Sequence, residues 1–333
     1  MAKFLTYVVL LTVLFAGLSH AAVVDSAVLD LSWIDWKIKF DKHYETVREE
    51  EVARATWTRN LEFVEAHNEL YRLGLNSFRV GLNARSDQEA NSFRRQPLVE
   101  LKPQLQYKTQ SQPIRSPFSL GLAPSFDWRN FGKVNPVVNQ GSLGESLAFD
   151  VADAVASFSA INEGTELSEL SAQEVVDCCL PDPIYGAQVF TCIKNNGGLC
   201  ANNTYHTGTG VKPCNNDSCK AAASPKHGGR NVEANNETAL AEAVLITPVV
   251  VAVDASHTSF QLYEGGVYSD PSCSKTVLDH VLLVVGWGTT PNGVEYWICK
   301  NTWGVTWGEQ GYLNIARNKD NMCGIASMPI FPY

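Results

Sequence analysis

Apolar positions change their rhythm twice along the chain. From about Ser32 to Leu73 the spacing is helical, with Glu50, Arg54, Trp57, Leu61, Val64 and Asn68 recurring every three or four residues along one face. Residues 96–121 lose that pattern and carry Pro97, Pro103, Pro113 and Pro117, which predicts an extended linker. A second unit starts near Pro124. Within it, Glu145 to Ile161 predicts a helix with Ala148, Val151, Ala152 and Val155 as its apolar face and Gly164 just past its end. Residues 212–235 are polar and loop-like. Short runs rich in Val, Ile and Tyr follow, and Val249–Asp254, Val281–Trp287, Tyr296–Asn301 and Tyr312–Arg317 predict strands of an antiparallel sheet. Helices followed by strands give an α+β class with two lobes.

Composition narrows the setting. With 333 residues, 45% of them apolar, the chain can bury one sizeable core and still carry an appendage. A net charge of −9 argues against a nucleic-acid partner, because phosphate binding needs an excess of Lys and Arg. Lys3, the apolar run Phe4–Leu18 and the small residues around Ser19-His20-Ala21 predict a cleaved export signal over residues 1–21. The run is shorter than the roughly 20 residues needed to span a bilayer. No membrane attachment is expected once it is removed. Nine cysteines in an exported chain predict disulfides and leave at least one thiol over. Asn202, Asn216 and Asn236 head Asn-x-Ser/Thr sequons and are candidate glycosylation sites. No cysteine or histidine spacing suggests a metal site, and no cofactor is expected.

Three separated segments carry chemistry. One runs Asn139-Gln140-Gly141-Ser142-Leu143-Gly144-Glu145-Ser146-Leu147-Ala148-Phe149. Another is Leu278-Asp279-His280-Val281, leading into Gly286-Trp287-Gly288, and the last is Tyr296-Trp297-Ile298-Cys299-Lys300-Asn301-Thr302-Trp303-Gly304. In this order they resemble the nucleophile, histidine and asparagine segments of the papain family of cysteine peptidases, closest to cathepsin L. Trp33-x-x-Trp36-Lys37 and the Glu50–Asn68 series resemble the inhibitory propeptide of that group, and Ser125-Phe126-Asp127-Trp128-Arg129 resembles its mature amino terminus. The resemblance implies a helical propeptide over residues 22–121, docked in the cleft of the same chain. It implies a two-lobed papain-like domain, a helical lobe plus an antiparallel β-barrel lobe, over residues 122–333, acting as a monomer.

It also implies roles. Gln140 would supply the oxyanion donor, His280 the base and Asn301 its orienter, with Trp303 shielding that contact and Asp279 in a supporting position. The nucleophile's place at the helix start holds Ser146, where the family has cysteine. The family's machine ionises a thiol beside a protonated histidine at a helix N-terminus. A hydroxyl is too weak an acid for that and requires a neutral histidine as general base.

Departures cluster around this position. Leu147 stands for the family Trp, Glu145 for Ser and Leu143 for a disulfide cysteine, and its partner's Gly-rich segment reads Leu180-Pro181-Asp182-Pro183-Ile184. A carboxylate at a helix N-terminus stabilises the helix by ~0.3–1 kcal/mol but opposes an oxyanion next door. Val281 replaces the Gly or Ala that lines the main specificity pocket, which predicts a narrower pocket. In the propeptide, Gly81-Leu82-Asn83-Ala84-Arg85-Ser86-Asp87 has Arg where the family has Phe. By resemblance Cys178 pairs with Cys219 and Cys273 with Cys323; Cys200 and Cys214 are placed to close a loop. Cys192 and Cys299 read as small buried residues and Cys179 has no evident partner.

Two functional classes follow. A homologue without peptidase activity would bind a peptide or protein ligand or build structure. A Ser–His–Asn site would instead work as a hydrolase, or condense as in silicateins, the cathepsin L relatives that also carry serine here; weak residual proteolysis by serine is the remaining alternative.

Overall fold

The computed structural model describes residues 26–90, 99–100, 122–141, 145–180, 186–208, 210–215 and 219–333. The expected signal segment, Leu143, Pro181–Ile184 and Asn216 lie outside them. The chain divides into two compact units, Met1–Ala55 and Thr56–Tyr333.

In the first unit, helix α1 (Ser26–Lys39) and the start of α2 (Val47–Arg72) replace the single predicted helix. The first helix stops at Lys39, and Asp41, with a φ of 50°, keeps the backbone from continuing as a helix. A capping box restarts it: Glu49 N–H donates to Thr46 Oγ1 at 3.2 Å, and Thr46 N–H donates to Glu49 Oε2 at 3.2 Å. Trp33 and Trp36 stack at 5.2 Å. Glu50 accepts from Trp33 Nε1 at 3.2 Å and pairs with Lys37, contacts that hold its carboxyl below the usual range.

The second unit is built on one antiparallel sheet. Its strands are β3 (Phe126–Asp127), β4 (Gly229–Asn231), β5 (Val249–Val253), β8 (His280–Thr289), β9 (Glu295–Lys300), β10 (Tyr312–Ala316) and β11 (Ile330–Pro332). They run in the order β10-β9-β8-β5-β11-β4, with β3 also on β8. Alternation along β8 sorts the two cores. Val281, Leu283 and Val285 join one, with α3 (Ser146–Phe158), α4 (Ala172–Cys179) and α5 (Gln188–Asn195). Leu282 and Val284 join the other, with Trp287, Trp297, Leu313 and Ile315. A strand buried on both faces needs an unbroken apolar run, and that is what residues 281–287 supply. Four of the predicted strands therefore stand within a residue or two of their expected bounds.

The Glu145–Ile161 helix resolves into α3 and a π turn, Ser159–Glu163, closed by Gly164 at φ 69°. The part of the expected propeptide beyond Ala55 belongs to this unit. Strand β1 (Phe78–Val80) pairs with β6 (Tyr263–Gly266), and β2 (Val99–Glu100), inside the predicted linker, pairs with β7 (Val277–Leu278). Asn68, in the helical spacing, and Asn60 hold this segment: Asn60 Nδ2 donates to Ser86 O at 2.8 Å and Asn68 Nδ2 to Val80 O at 2.7 Å.

The disulfides correct the expected pairing. Cys178 is bonded to Cys214 and Cys200 to Cys219, in place of Cys178–Cys219 and Cys200–Cys214. Cys179 and Cys192, expected without a bond, form one. The adjacent Cys178 and Cys179 lie at the end of α4, and successive helix positions point about 100° apart, so they reach partners on different sides. Cys273 is bonded to Cys323, and Cys299 is a buried free thiol.

Candidate active-site cleft

Ser146 is the first residue of α3 and 6% exposed. Preceding it, Glu145 occupies the N-cap without a side-chain capping bond. His280 opens β8 on the parity of Leu282, which turns its imidazole toward Phe260 and Trp303. Val281 takes the opposite parity. It is 3% exposed and packs in the core beneath α3.

His280 Nε2 meets Asn301 Oδ1 at 2.8 Å, and Trp303 lies 4.8 Å from the imidazole, centroid to centroid. Asn301 Oδ1 also accepts from Thr302 N–H at 2.7 Å, which fixes the amide. Since the oxygen faces His280, Nε2 carries the proton and Nδ1 is the nitrogen left to act as base. Burial pushes the imidazole down to about 4, against the stabilising Asn301 bond, and Arg85 adds to the fall. No hydrogen bond joins His280 to the Ser146 hydroxyl among the described residues.

Gln140 reaches the same region on an irregular strand that bridges Asn139 to Trp303. Gln140 N–H donates to Thr302 O at 2.8 Å, and Thr302 Oγ1 donates to Gln140 Oε1 at 2.5 Å. The amide's oxygen is thereby engaged and its NH₂ end remains as the donor. Asp279 accepts from Ala255 N–H at 2.8 Å, tying β5 to the start of β8.

Gln261 had no sequence signal. Gln261, 1% exposed at the end of helix α7 (Thr258–Gln261), grips the turn at residues 83–88: its Nε2 donates to Arg85 O at 2.5 Å and Gln88 O at 2.9 Å, and its backbone oxygen accepts from Asn83 Nδ2 at 2.8 Å. The sequence around it, Ser259-Phe260-Gln261-Leu262-Tyr263, does not single it out by charge or spacing. The turn it holds presents Arg85, whose guanidinium lies 4.5 Å from the Trp303 centroid. Burial lowers that guanidinium to about 10.

With the cleft described, comparison with known proteins identifies the lineage. Residues 122–333 match the papain family cysteine protease profile, and residues 33–93 match the cathepsin propeptide inhibitor domain.

The chain belongs to the papain family.

Its cathepsin relatives are similar over nearly their whole length. Cathepsin J of Rattus norvegicus is 37% identical, covering 98% of this chain and 99% of the relative, and cathepsin L2 of Homo sapiens is 36% identical over 95% and 96%. Among solved structures, digestive procathepsin L2 from the Tenebrio molitor larval midgut superposes with a TM-score of 0.80 at 34% identity, covering 91% of this chain and 99% of that one. The recombinant stem bromelain precursor gives 0.78 at 29%, over 91% and 98%. Papain-family architecture with an attached inhibitory propeptide is thus common to this chain and its structural neighbours.

Proposed function

We propose that this papain-family chain no longer works as a cysteine peptidase and acts as a binding protein through its cleft. One observation carries the reading: the first residue of α3, in the segment that resembles the family's nucleophile segment, is the hydroxyl-bearing Ser146. A thiolate–imidazolium pair needs a sulfur and a protonated histidine, and this site has neither. The depressed His280 also removes the cation that would stabilise an anion at position 146. Glu145 next to it opposes an oxyanion.

The same neutral imidazole favours a second reading. A serine nucleophile requires a neutral general base, and His280, held by Asn301, has that form. Attack would move the Ser146 proton to His280 Nδ1, with the Gln140 NH₂ donating to the oxyanion. Weak hydrolysis or silicatein-like condensation by Ser146, His280, Asn301 and Gln140 therefore stands second.

Four disulfides join described residues, which supports assembly in an oxidising compartment, secreted or vesicular. Among the described residues no helix is long and apolar enough to cross a membrane. The test is Ser146→Cys. The binding reading expects this change to confer thiol-dependent cleavage of peptide esters on protein freed of residues 22–121, because substrate still enters. No gain, together with Ser146-dependent ester turnover in the parent protein, favours the second reading.

A further inference from the structure

We propose that the face of Trp303 covered by Arg85 is a guanidinium seat. With the propeptide turn withdrawn, it takes an arginine side chain from a basic peptide or protein. The inference rests on the binding reading above and names its ligand class.

The seat is built and not incidental. The Arg85 guanidinium stacks on Trp303 at 4.5 Å, within the range where a ring quadrupole attracts a cation. Phe260 and Trp307 meet Trp303 edge-on at 5.6 and 5.3 Å, which stops the ring from turning away. Beside it lies a cavity of about 230 Å³ lined by Asn139, Trp303, Thr306 and Trp307 on one side and by the Asn83–Gln88 turn on the other. Gln261 reads the main chain of that turn at two carbonyls, so backbone and guanidinium are recognised together. A planar guanidinium suits such a face better than a strongly hydrated ammonium. Acidic residues outnumber basic ones across residues 122–333, a balance that favours a cationic over an anionic partner for the domain as a whole. His280 lies 4.8 Å from Trp303; burial is the main cause of its lowered pKa and the Arg85 charge adds to the fall, so the imidazole reports occupancy of the seat.

The experiment uses the full chain. Arg85→Ala protein is titrated with ethylguanidinium and with ethylurea, which has a similar shape and no charge. Tryptophan fluorescence and the NMR titration of His280 are the readouts. The expected result is saturable ethylguanidinium binding, about tenfold tighter than ethylurea, with the His280 pKa falling back toward its wild-type value. Both effects should vanish in Arg85→Ala/Trp303→Leu and in Arg85→Met, whose side chain fills the same space. Equal binding of the two probes, or binding undiminished by Trp303→Leu, overturns the seat. If Arg85→Ala frees the turn, hydrogen exchange shows it, and the same probes on the bared Trp303 face the same criteria. An arginine hexapeptide added to this variant separates the two claims. Binding followed by Ser146-dependent cleavage keeps the seat and ends the non-peptidase reading. Failure of ethylguanidinium to bind, with no cleavage, ends the seat and keeps that reading.

Discussion

Asn301 gives its side-chain oxygen to His280 at 2.8 Å while its own amide nitrogen is buried without a hydrogen-bond partner. An unmatched buried NH₂ costs on the order of 1–3 kcal/mol, and the fold retains it beside an imidazole that is already hard to protonate. The orientation of the histidine has therefore been kept although the group it would activate is an alcohol.

Replacing Asn301 separates orientation from charge. Asn301→Asp places a carboxylate against His280 Nε2, and the His280 pKa should rise from about 4 by more than one unit. Asn301→Ala deletes the bond that favours the charged form and should lower it further. NMR titration of the imidazole distinguishes them; equal values in both variants would contradict the assigned contact.

Asp150, one helical turn beyond Ser146, is fully buried and neither carboxyl oxygen has a hydrogen-bond partner. Burial raises its pKa well above the ordinary carboxylate range. Asp153 pushes the same way and Lys300 opposes, with the Cys299 thiol close by. The folded state thus keeps a proton that the unfolded chain gives up above about pH 3.9. The associated stability is complete below that pH and declines as pH rises toward the folded pKa. Asp150→Asn should be flatter in pH and more stable than wild type at pH 7. Denaturant unfolding at pH 4 and 7 checks this, and identical pH slopes would count against it.

Lys300 is fully buried and paired with Asp153. Lys300→Met leaves Asp153 unpaired next to Asp150, and a loss of roughly 3–5 kcal/mol is expected. Lys300→Met/Asp153→Leu should recover part of it. The same denaturant titration measures both.

Cys299 is buried and its thiol is pushed upward by burial, so it should be inert in the native protein. Iodoacetamide at pH 7.5 should add nothing to folded protein and one carbamidomethyl group after unfolding without reductant. More than one would disagree with the bond set of Cys178–Cys214, Cys179–Cys192, Cys200–Cys219 and Cys273–Cys323.

Much of this was legible in the sequence because it depends on local pattern. The β8 run from Val281 to Trp287 announces a strand buried on both faces, and the order of the Ser146, His280 and Asn301 segments announces the family. What sequence withheld depends on three-dimensional neighbours. Which of Cys178 and Cys179 meets Cys192 is decided by the direction each takes from α4. Asp150 escaped notice because reading Ala148, Val151, Ala152 and Val155 as the apolar face left it on the polar side, yet α3 is enclosed all round. Gln261 and Arg85 become partners only when residues 83–88 fold onto α7.

The central claim is that an oxygen at position 146 has ended peptide cleavage. The direct measurement is kcat/KM for a peptide amide, using wild-type and Ser146→Ala protein from which residues 22–121 have been removed by an added protease. Equal rates at background are predicted. Wild-type turnover well above background that disappears in Ser146→Ala would contradict the account.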